Sequence, residues 1–225
     1  MVDSRPMTTL RHTWLILLAT LLLGAISPTL ALDNLGIVAG LDRTELAGDE
    51  PPDFRFTSES GYLVGAVVEF ALTREVLLSI QPSYLHTRTG LAYKDRGAGV
   101  LRDSLALDID WFVLPVVARI KANEGVLYGV GGFEFAWAMN GGLSGGAEEE
   151  PAESFIRDID VAAIVGVGLE FPAGRNGITA ELRYCQGLLN SANNDADLSG
   201  STLPKRFRFA GLQLVAGFLF SLGGP

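Results

Sequence analysis

Hydrophobic and polar side chains alternate along most of the chain between Leu35 and Phe220. Successive side chains of a β-strand point to opposite faces, so this alternation predicts strands with one apolar face. Eight such segments are separated by polar linkers. The predicted strands span residues 35–43, 62–72, 76–88, 105–120, 126–139, 156–171, 178–188 and 206–220.

The linkers between the predicted strands alternate strictly in length. The long linkers cover residues 43–61, 89–104, 140–157 and 188–205, and the short ones cover 73–75, 121–125 and 172–177. Outer-membrane barrels have tight turns on the periplasmic side and longer loops outside the cell. The pattern therefore predicts an all-β fold, namely an eight-stranded antiparallel up-and-down transmembrane β-barrel.

The two faces of the predicted strands differ in composition. One face is uniformly apolar, and the other combines glycine with a few charged or amide side chains. An eight-stranded barrel has an interior only wide enough for side chains, and glycine makes room there. The side chains predicted to face the lumen are Glu69, Ser79, Gln81, Arg119, Glu134, Glu170, Glu181 and Arg183.

Charges inside a barrel need partners, so Arg119 and Arg183 are expected to pair with some of the predicted lumen glutamates. We interpret such a network as a stabilising plug of side chains. A pore or a proton path through the same residues stays open as the alternative.

Aromatic residues near the strand ends predict two girdles at the membrane surfaces. Phe70, Phe171 and Phe220 stand just before short turns or the end of the last strand. Near the opposite strand ends, the candidates for an outer girdle are Tyr84, Trp111, Phe112 and Trp137.

Residues 1–31 have the features of a signal peptide. Arg5 and Arg11 precede an apolar stretch over 14–25, and Thr29-Leu30-Ala31 matches the pattern that signal peptidase cleaves. The predicted organisation is therefore a signal peptide over residues 1–31 and an outer-membrane barrel over residues 32–225.

Composition narrows the partners of the exported chain. Without residues 1–31 it keeps 15 basic and 25 acidic side chains, a net charge of −10. This balance argues against a nucleic-acid partner, which needs a basic surface.

Cys185 is the single cysteine, so no intramolecular disulfide can form. Gly166-Val167-Gly168 lacks the third glycine and the following helix of a dinucleotide loop, so no cofactor is expected.

Two groups of charged residues lie near the predicted outer ends of the strands. Carboxylates that could share a hard cation at the rim are Asp108, Asp110, Asp158 and Asp160. Solvated rim charges are the alternative interpretation, so no metal site is assigned. Candidate contacts to lipid phosphates are Arg88, Lys94, Arg96, Arg102, Arg206 and Arg208.

Several strand segments resemble a known family when taken in order. They are Gly65–Leu72, Leu78–Pro82, Val113–Arg119, Gly166–Pro172 and Glu181–Leu188. In that order and spacing the chain resembles the PorT-like outer-membrane β-barrel family. The resemblance implies an eight-stranded barrel in the outer membrane, no shared catalytic residues and, for the named member of the family, assistance to a protein secretion apparatus.

The sequence favours a non-enzymatic barrel with structural, surface-binding or secretion-support roles. The expected partners are outer-membrane lipid and lipopolysaccharide, the barrel-insertion machinery, and a protein bound through the outer loops. Two alternatives stay open: a soluble periplasmic carrier of the lipocalin type, and a lipid A-modifying enzyme. The enzyme would need a serine beside His86, whereas Ser83 is three residues away and therefore predicted on the opposite strand face.

Overall fold

A computed structural model describes residues 32–48, 54–94, 101–122, 126–144, 150–151, 156–192 and 206–222. The predicted signal peptide lies outside these residues. The strands are β1 (Leu32–Gly48), β2 (Phe54–Ala71), β3 (Val76–Ile80), β4 (Ser83–Lys94), β5 (Leu101–Lys121), β6 (Leu127–Ser144), β7 (Glu150–Pro151), β8 (Ile159–Ala173), β9 (Asn176–Gly187) and β10 (Phe207–Ser221). No helix within these ranges is long and apolar enough to span a bilayer.

The strands form a closed antiparallel ring. β1 pairs with β2 on one side and with β10 on the other, which leaves the ring without a free edge. β3 and β4 share one position, because both pair with β2 and with β5. The described residues therefore form eight positions in the ring, and the two-residue β7 pairs with β6 beside it. The predicted fold class is confirmed.

The strand predicted over residues 76–88 is interrupted at Gln81-Pro82. Proline has no backbone N–H and cannot donate to the strand ladder. The interruption is local, since Ala66 N donates to Pro82 O at 3.0 Å and Gln81 N donates to Pro115 O at 3.0 Å. The wall of the barrel therefore stays continuous across the proline.

Several strands are longer than the sequence pattern predicts. β5 has 21 residues, and β1 and β2 extend well into the predicted linker over 43–61. Past Leu41 the outward side chains of β1 become polar (Arg43 and Glu45), while Thr44 and Leu46 stay buried. The backbone hydrogen bonds of the strand continue past this point, but the apolar side chains that identified the strand in the sequence do not. We call this end of the ring the long-hairpin end, and the opposite end the short-turn end.

The apolar face of the strands points away from the lumen. Ile37, Leu41 and Val165 are each 62% exposed, whereas the inward Val67 and Val117 are at most 1% exposed. In β9, for example, outward Ile178 and Leu182 alternate with buried Thr179 and Glu181. Such an exposed apolar band is typical of a barrel surrounded by lipid.

The long-hairpin end of the lumen is filled by apolar side chains. This apolar plug consists of Leu46, Leu107, Ile109, Ile156, Ala192 and Phe207, each at most 2% exposed. Ile156 and Ala192 come from connections between strands, and an isolated bridge joins them. Ile156 and Ala192 therefore belong to the side chains that fill the lumen at this end.

An aromatic row crosses the outer wall below the polar ends of the strands. Tyr84 lies opposite Phe112, and Phe112 lies opposite Trp137. The Phe112 and Trp137 rings are 5.7 Å apart, and the Tyr62 and Tyr84 rings are 5.9 Å apart. The prediction was wrong for Trp111, which is 4% exposed and packs inside the barrel, because neighbouring residues of a strand cannot share a face.

Replacing Val165 by arginine tests which face meets lipid. A charge on the lipid face costs about 2–4 kcal/mol at the bilayer midplane, so Val165→Arg should lower the free energy of unfolding in vesicles by that amount. Glu45→Arg, at an exposed position beyond the apolar band, is the control and should change little. Equal, small effects of both substitutions would contradict a membrane barrel. Unfolding in urea, monitored by gel mobility, measures the stability of both variants.

Gly168 of β8 leaves room for the ring of Tyr128 on β6. A Cβ at Gly168 would lie 2.3 Å from Tyr128 Cζ, whereas a Cβ at Gly131 meets nothing within 4 Å. We expect Gly168→Ala to destabilise the barrel by about 1–3 kcal/mol through overpacking. Gly131→Ala is the matched control and should be near neutral. Urea midpoints of the two variants compare them, and equal midpoints would contradict the packing argument.

Candidate functional site

Arg119 is the centre of a charged cluster in the lumen near the short-turn end. It lies on β5, is 1% exposed, and contacts the carboxylate of Glu69 on β2 through Nη1. Its Nη2 lies 3.1 Å from Glu170 Oε2, and its Nε lies 3.5 Å from Glu181 Oε1. Its guanidinium also stands 4.0 Å above the ring of Tyr128. One buried arginine thus contacts four strands of the ring.

Arg183 is held by a second set of contacts beside the first. Its Nε donates to Glu181 Oε2 at 2.6 Å, and its Nη2 donates to Gln81 Oε1 at 2.8 Å. Tyr128 donates its hydroxyl to Glu181 Oε1 at 2.7 Å. Glu181 therefore contacts both buried arginines, and the hydroxyl of Tyr128 fixes its orientation.

Towards the short-turn end the cluster meets a cleft of about 490 Å³ at the barrel mouth. Lys121 Nζ donates to Glu170 Oε1 at 3.3 Å, and Asn34 Nδ2 donates to Glu69 Oε2 at 2.9 Å. We define the lumen network by these residues together: Glu69, Gln81, Arg119, Lys121, Tyr128, Glu170, Glu181 and Arg183. Its three glutamates face three basic side chains, so its formal charge is balanced.

The structure places all the predicted lumen side chains inside the ring. Those that join the lumen network are Glu69, Gln81, Arg119, Glu170, Glu181 and Arg183, and Ser79 accepts a hydrogen bond from Gln81. Glu134 also lies inside the ring and is 6% exposed, but it forms no hydrogen bond with the residues of the lumen network. Tyr128 and Lys121 were missed by the sequence analysis. The alternation of side chains along β6 could have predicted Tyr128, because Tyr128 and Val130 lie on the same inward face as Glu134.

A second polar cluster lies on the outer wall just beyond the aromatic row. Asp110 Oδ1 accepts a hydrogen bond from the Tyr84 hydroxyl at 2.6 Å and lies 2.8 Å from His86 Nδ1. Arg88 binds both carboxylate oxygens of Asp108, with Nη2 at 3.2 Å, and its Nε lies 3.6 Å from Glu59. We call these residues the outer polar patch: Glu59, Tyr84, His86, Arg88, Asp108 and Asp110.

The four predicted rim carboxylates do not meet. Asp108 and Asp110 belong to the outward face of β5. Asp160 lies on β8, points into the lumen of the barrel and is 6% exposed. Asp158 is exposed at the start of the same segment. Equal residue parity on two strands does not imply the same face, because the phase of each strand is set by its own apolar side chains. Among the described residues no group of three or more His, Cys, Asp or Glu side chains could hold a metal ion.

The basic residues predicted to contact lipid phosphates have different surroundings. Arg88 is already paired with Asp108. Arg206 and Arg208 are exposed at the start of β10. The side chains of Lys94 and Arg102, and all of Arg96, lie outside what the structure describes.

His86 and Ser83 lie on opposite faces of β4. Ser83 is 2% exposed and donates its hydroxyl to Gln81 O at 3.0 Å, while His86 stands on the outer wall beside Tyr62. A serine that is activated by a histidine must lie within hydrogen-bond reach of it. This pair therefore does not form a hydrolytic site.

The chain matches the family described as outer membrane protein beta-barrel domain over residues 34–193. It belongs to this family and is a β-barrel protein of the outer membrane. A comparison with curated proteins gives no match.

Solved structures of small outer-membrane barrels are similar to this chain. Neisserial surface protein A is 9% identical over 84% of this chain and 97% of that one, with a TM-score of 0.45. OprG from Pseudomonas aeruginosa is 12% identical over 85% and 97%, also with a TM-score of 0.45. Ail from Yersinia pestis is 15% identical over 84% and 100%, with a TM-score of 0.41.

Replacing Arg119 by methionine tests how much the lumen network contributes to the stability of the barrel. Removing one partner of a buried ion pair costs about 3–5 kcal/mol, because the remaining charges stay buried without compensation. Arg119→Met should therefore lower the free energy of unfolding by that amount. Lys121→Met removes a cation whose side chain is 31% exposed, and it should cost less than about 1 kcal/mol. Urea unfolding in detergent compares the two, and equal losses would contradict the assigned role of Arg119.

Proposed function

We propose that this protein is a non-enzymatic outer-membrane barrel whose lumen is closed by its own side chains. The observation that carries the proposal is the position of Arg119, which is 1% exposed and joins Glu69, Glu170 and Glu181 across the lumen. Charges that pair with one another inside a narrow barrel occupy the space that a channel would need. The apolar plug supports the same conclusion from the other end of the lumen.

The long hairpins are the parts through which such a barrel would act. A strand that crosses the bilayer needs about 9–11 residues, so about half of the 21-residue β5 is available to project beyond it. We infer that the long-hairpin end faces outside the cell, as the longer loops of bacterial barrels do. The hairpins would then serve structural or surface-binding roles. Support of secretion, as in the PorT-like barrels that the sequence resembles, is the more specific form of this proposal.

Lipid is the partner that the outer wall supports best. The aromatic row of Tyr62, Tyr84, Phe112 and Trp137 marks the level at which the wall changes from apolar to polar. Tyrosine and tryptophan prefer this level of a membrane. Beyond it, Arg206 and Arg208 are exposed and available for lipopolysaccharide phosphates.

Planar-bilayer recording of the purified, refolded protein tests the closed lumen. We expect no steady ion conductance from the wild-type barrel, because the lumen network and the apolar plug fill its cross-section. A well-characterised porin that is reconstituted in the same way is the positive control. Stable, stepwise conductance that scales with the number of inserted wild-type barrels would contradict the proposal.

A further inference from the structure

A cavity of about 50 Å³ lies in the lumen between the lumen network and the apolar plug. We call it the middle cavity. Glu134, Asp160, Thr87, Gln213, Trp111 and Phe209 are among its lining residues. Water needs roughly 10–15 Å³ of such volume, so the middle cavity has room for a few waters or for one small ligand.

Glu134 is a carboxylate of the middle cavity that forms no hydrogen bond with a described residue. It is 6% exposed, and no described residue donates a hydrogen bond to it. The other buried carboxylates of this region are satisfied. Asp42 accepts a hydrogen bond from Thr44 at 2.8 Å, and Asp160 accepts one from Ser191 at 3.2 Å. A buried carboxylate without a donor is costly, which indicates that something else supplies the donor.

The charge balance of the lumen indicates what the donor is. In the lumen network three glutamates face three basic side chains, whereas Asp42, Glu134 and Asp160 form no ion pair with a basic side chain among the described residues. Arg183, the cation that acts on Glu134, is already bonded to Glu181 and Gln81. The formally charged side chains that line the middle cavity, Glu134 and Asp160, are therefore both acidic.

The rest of the lining narrows the chemistry of the missing cation. Gln213 lines the cavity, and its Oε1 is buried without a hydrogen bond, so it offers a further acceptor at the cavity wall. Trp111 and Phe209 pack edge to face with ring centres 5.8 Å apart. Two carboxylates are too few for a tight divalent-metal site, whereas aromatic rings beside a carboxylate suit an ammonium group.

We propose that the middle cavity binds a small monovalent cation of the ammonium class, either ammonium itself or a short primary amine, with Glu134 as its main anionic contact. The N–H groups of the ligand would supply the donors that Glu134 lacks. The volume of the cavity excludes a bulky quaternary ammonium. This binding needs no open channel and is independent of the role proposed for the hairpins.

Fluorescence of Trp111 offers a direct test in the refolded barrel. The chain has three tryptophans, so a variant with Trp14→Phe and Trp137→Phe retains only Trp111, inside the cavity. The protein is refolded and titrated with methylammonium chloride or ammonium chloride, at an ionic strength held constant with sodium chloride. We expect a saturable change in Trp111 emission and a parallel rise in the urea midpoint of unfolding.

Glu134→Gln keeps the shape of the side chain and removes its charge, so it should weaken the apparent affinity roughly tenfold or more. Glu45→Gln removes an exposed glutamate on the outer wall and should leave the response unchanged. If Glu134→Gln does not fold, Asp160→Asn replaces it and should also weaken the response. Tetramethylammonium, which is too large for the cavity, should give no saturable change.

Three results would overturn the proposal. The first is the absence of any saturable response to ammonium or methylammonium. The second is an unchanged affinity in the Glu134→Gln variant or, where that variant does not fold, in Asp160→Asn. The third is an equal response to sodium or to tetramethylammonium, since either would place binding outside the middle cavity or remove its ammonium character.

Discussion

Neutralisation of charge inside a narrow barrel is the constraint on which the structure depends. The backbone ladders join each strand only to its neighbours in the ring. The lumen network joins strands that are not neighbours, since Arg119 on β5 contacts Glu170 on β8 and Glu181 on β9. These contacts cross-link opposite parts of the wall, and each of them depends on the others, because loss of one charge leaves another buried and unpaired.

The same constraint explains why the two faces of the wall can differ so much. Lipid removes water from the outside of the barrel, so the outward side chains are apolar, and polar groups are concentrated where they can satisfy one another. On the outer face of β1, the change from Leu41 to Arg43 marks the level beyond which outward side chains no longer need to be apolar. Beyond that level, ion pairs such as Arg88 with Asp108 are exposed to solvent and contribute little to stability.

The sequence predicted the architecture well, because a period of two is preserved through each membrane strand. It placed Glu69, Arg119 and Arg183 inside the ring from the apolar residues on the opposite face. It could not predict which charges meet, since pairing across the lumen depends on the stagger of strands that are far apart in the chain. For the same reason Asp160 was grouped with Asp108, although the two side chains point to opposite faces of the wall.

Strand length was underestimated for a related reason. Polar residues over 43–61 resembled a loop because the pattern that identifies a membrane strand is the apolar outer face, and that face ends at the membrane surface. The inward face continues further, with Thr44 and Leu46 buried among the residues that close the long-hairpin end. In a barrel filled at that level by apolar side chains and near the short-turn end by paired charges, the middle cavity lies between the two. The paired charges of the lumen network already balance one another, so the cation proposed for the middle cavity would be the positive charge closest in role to a partner for Glu134.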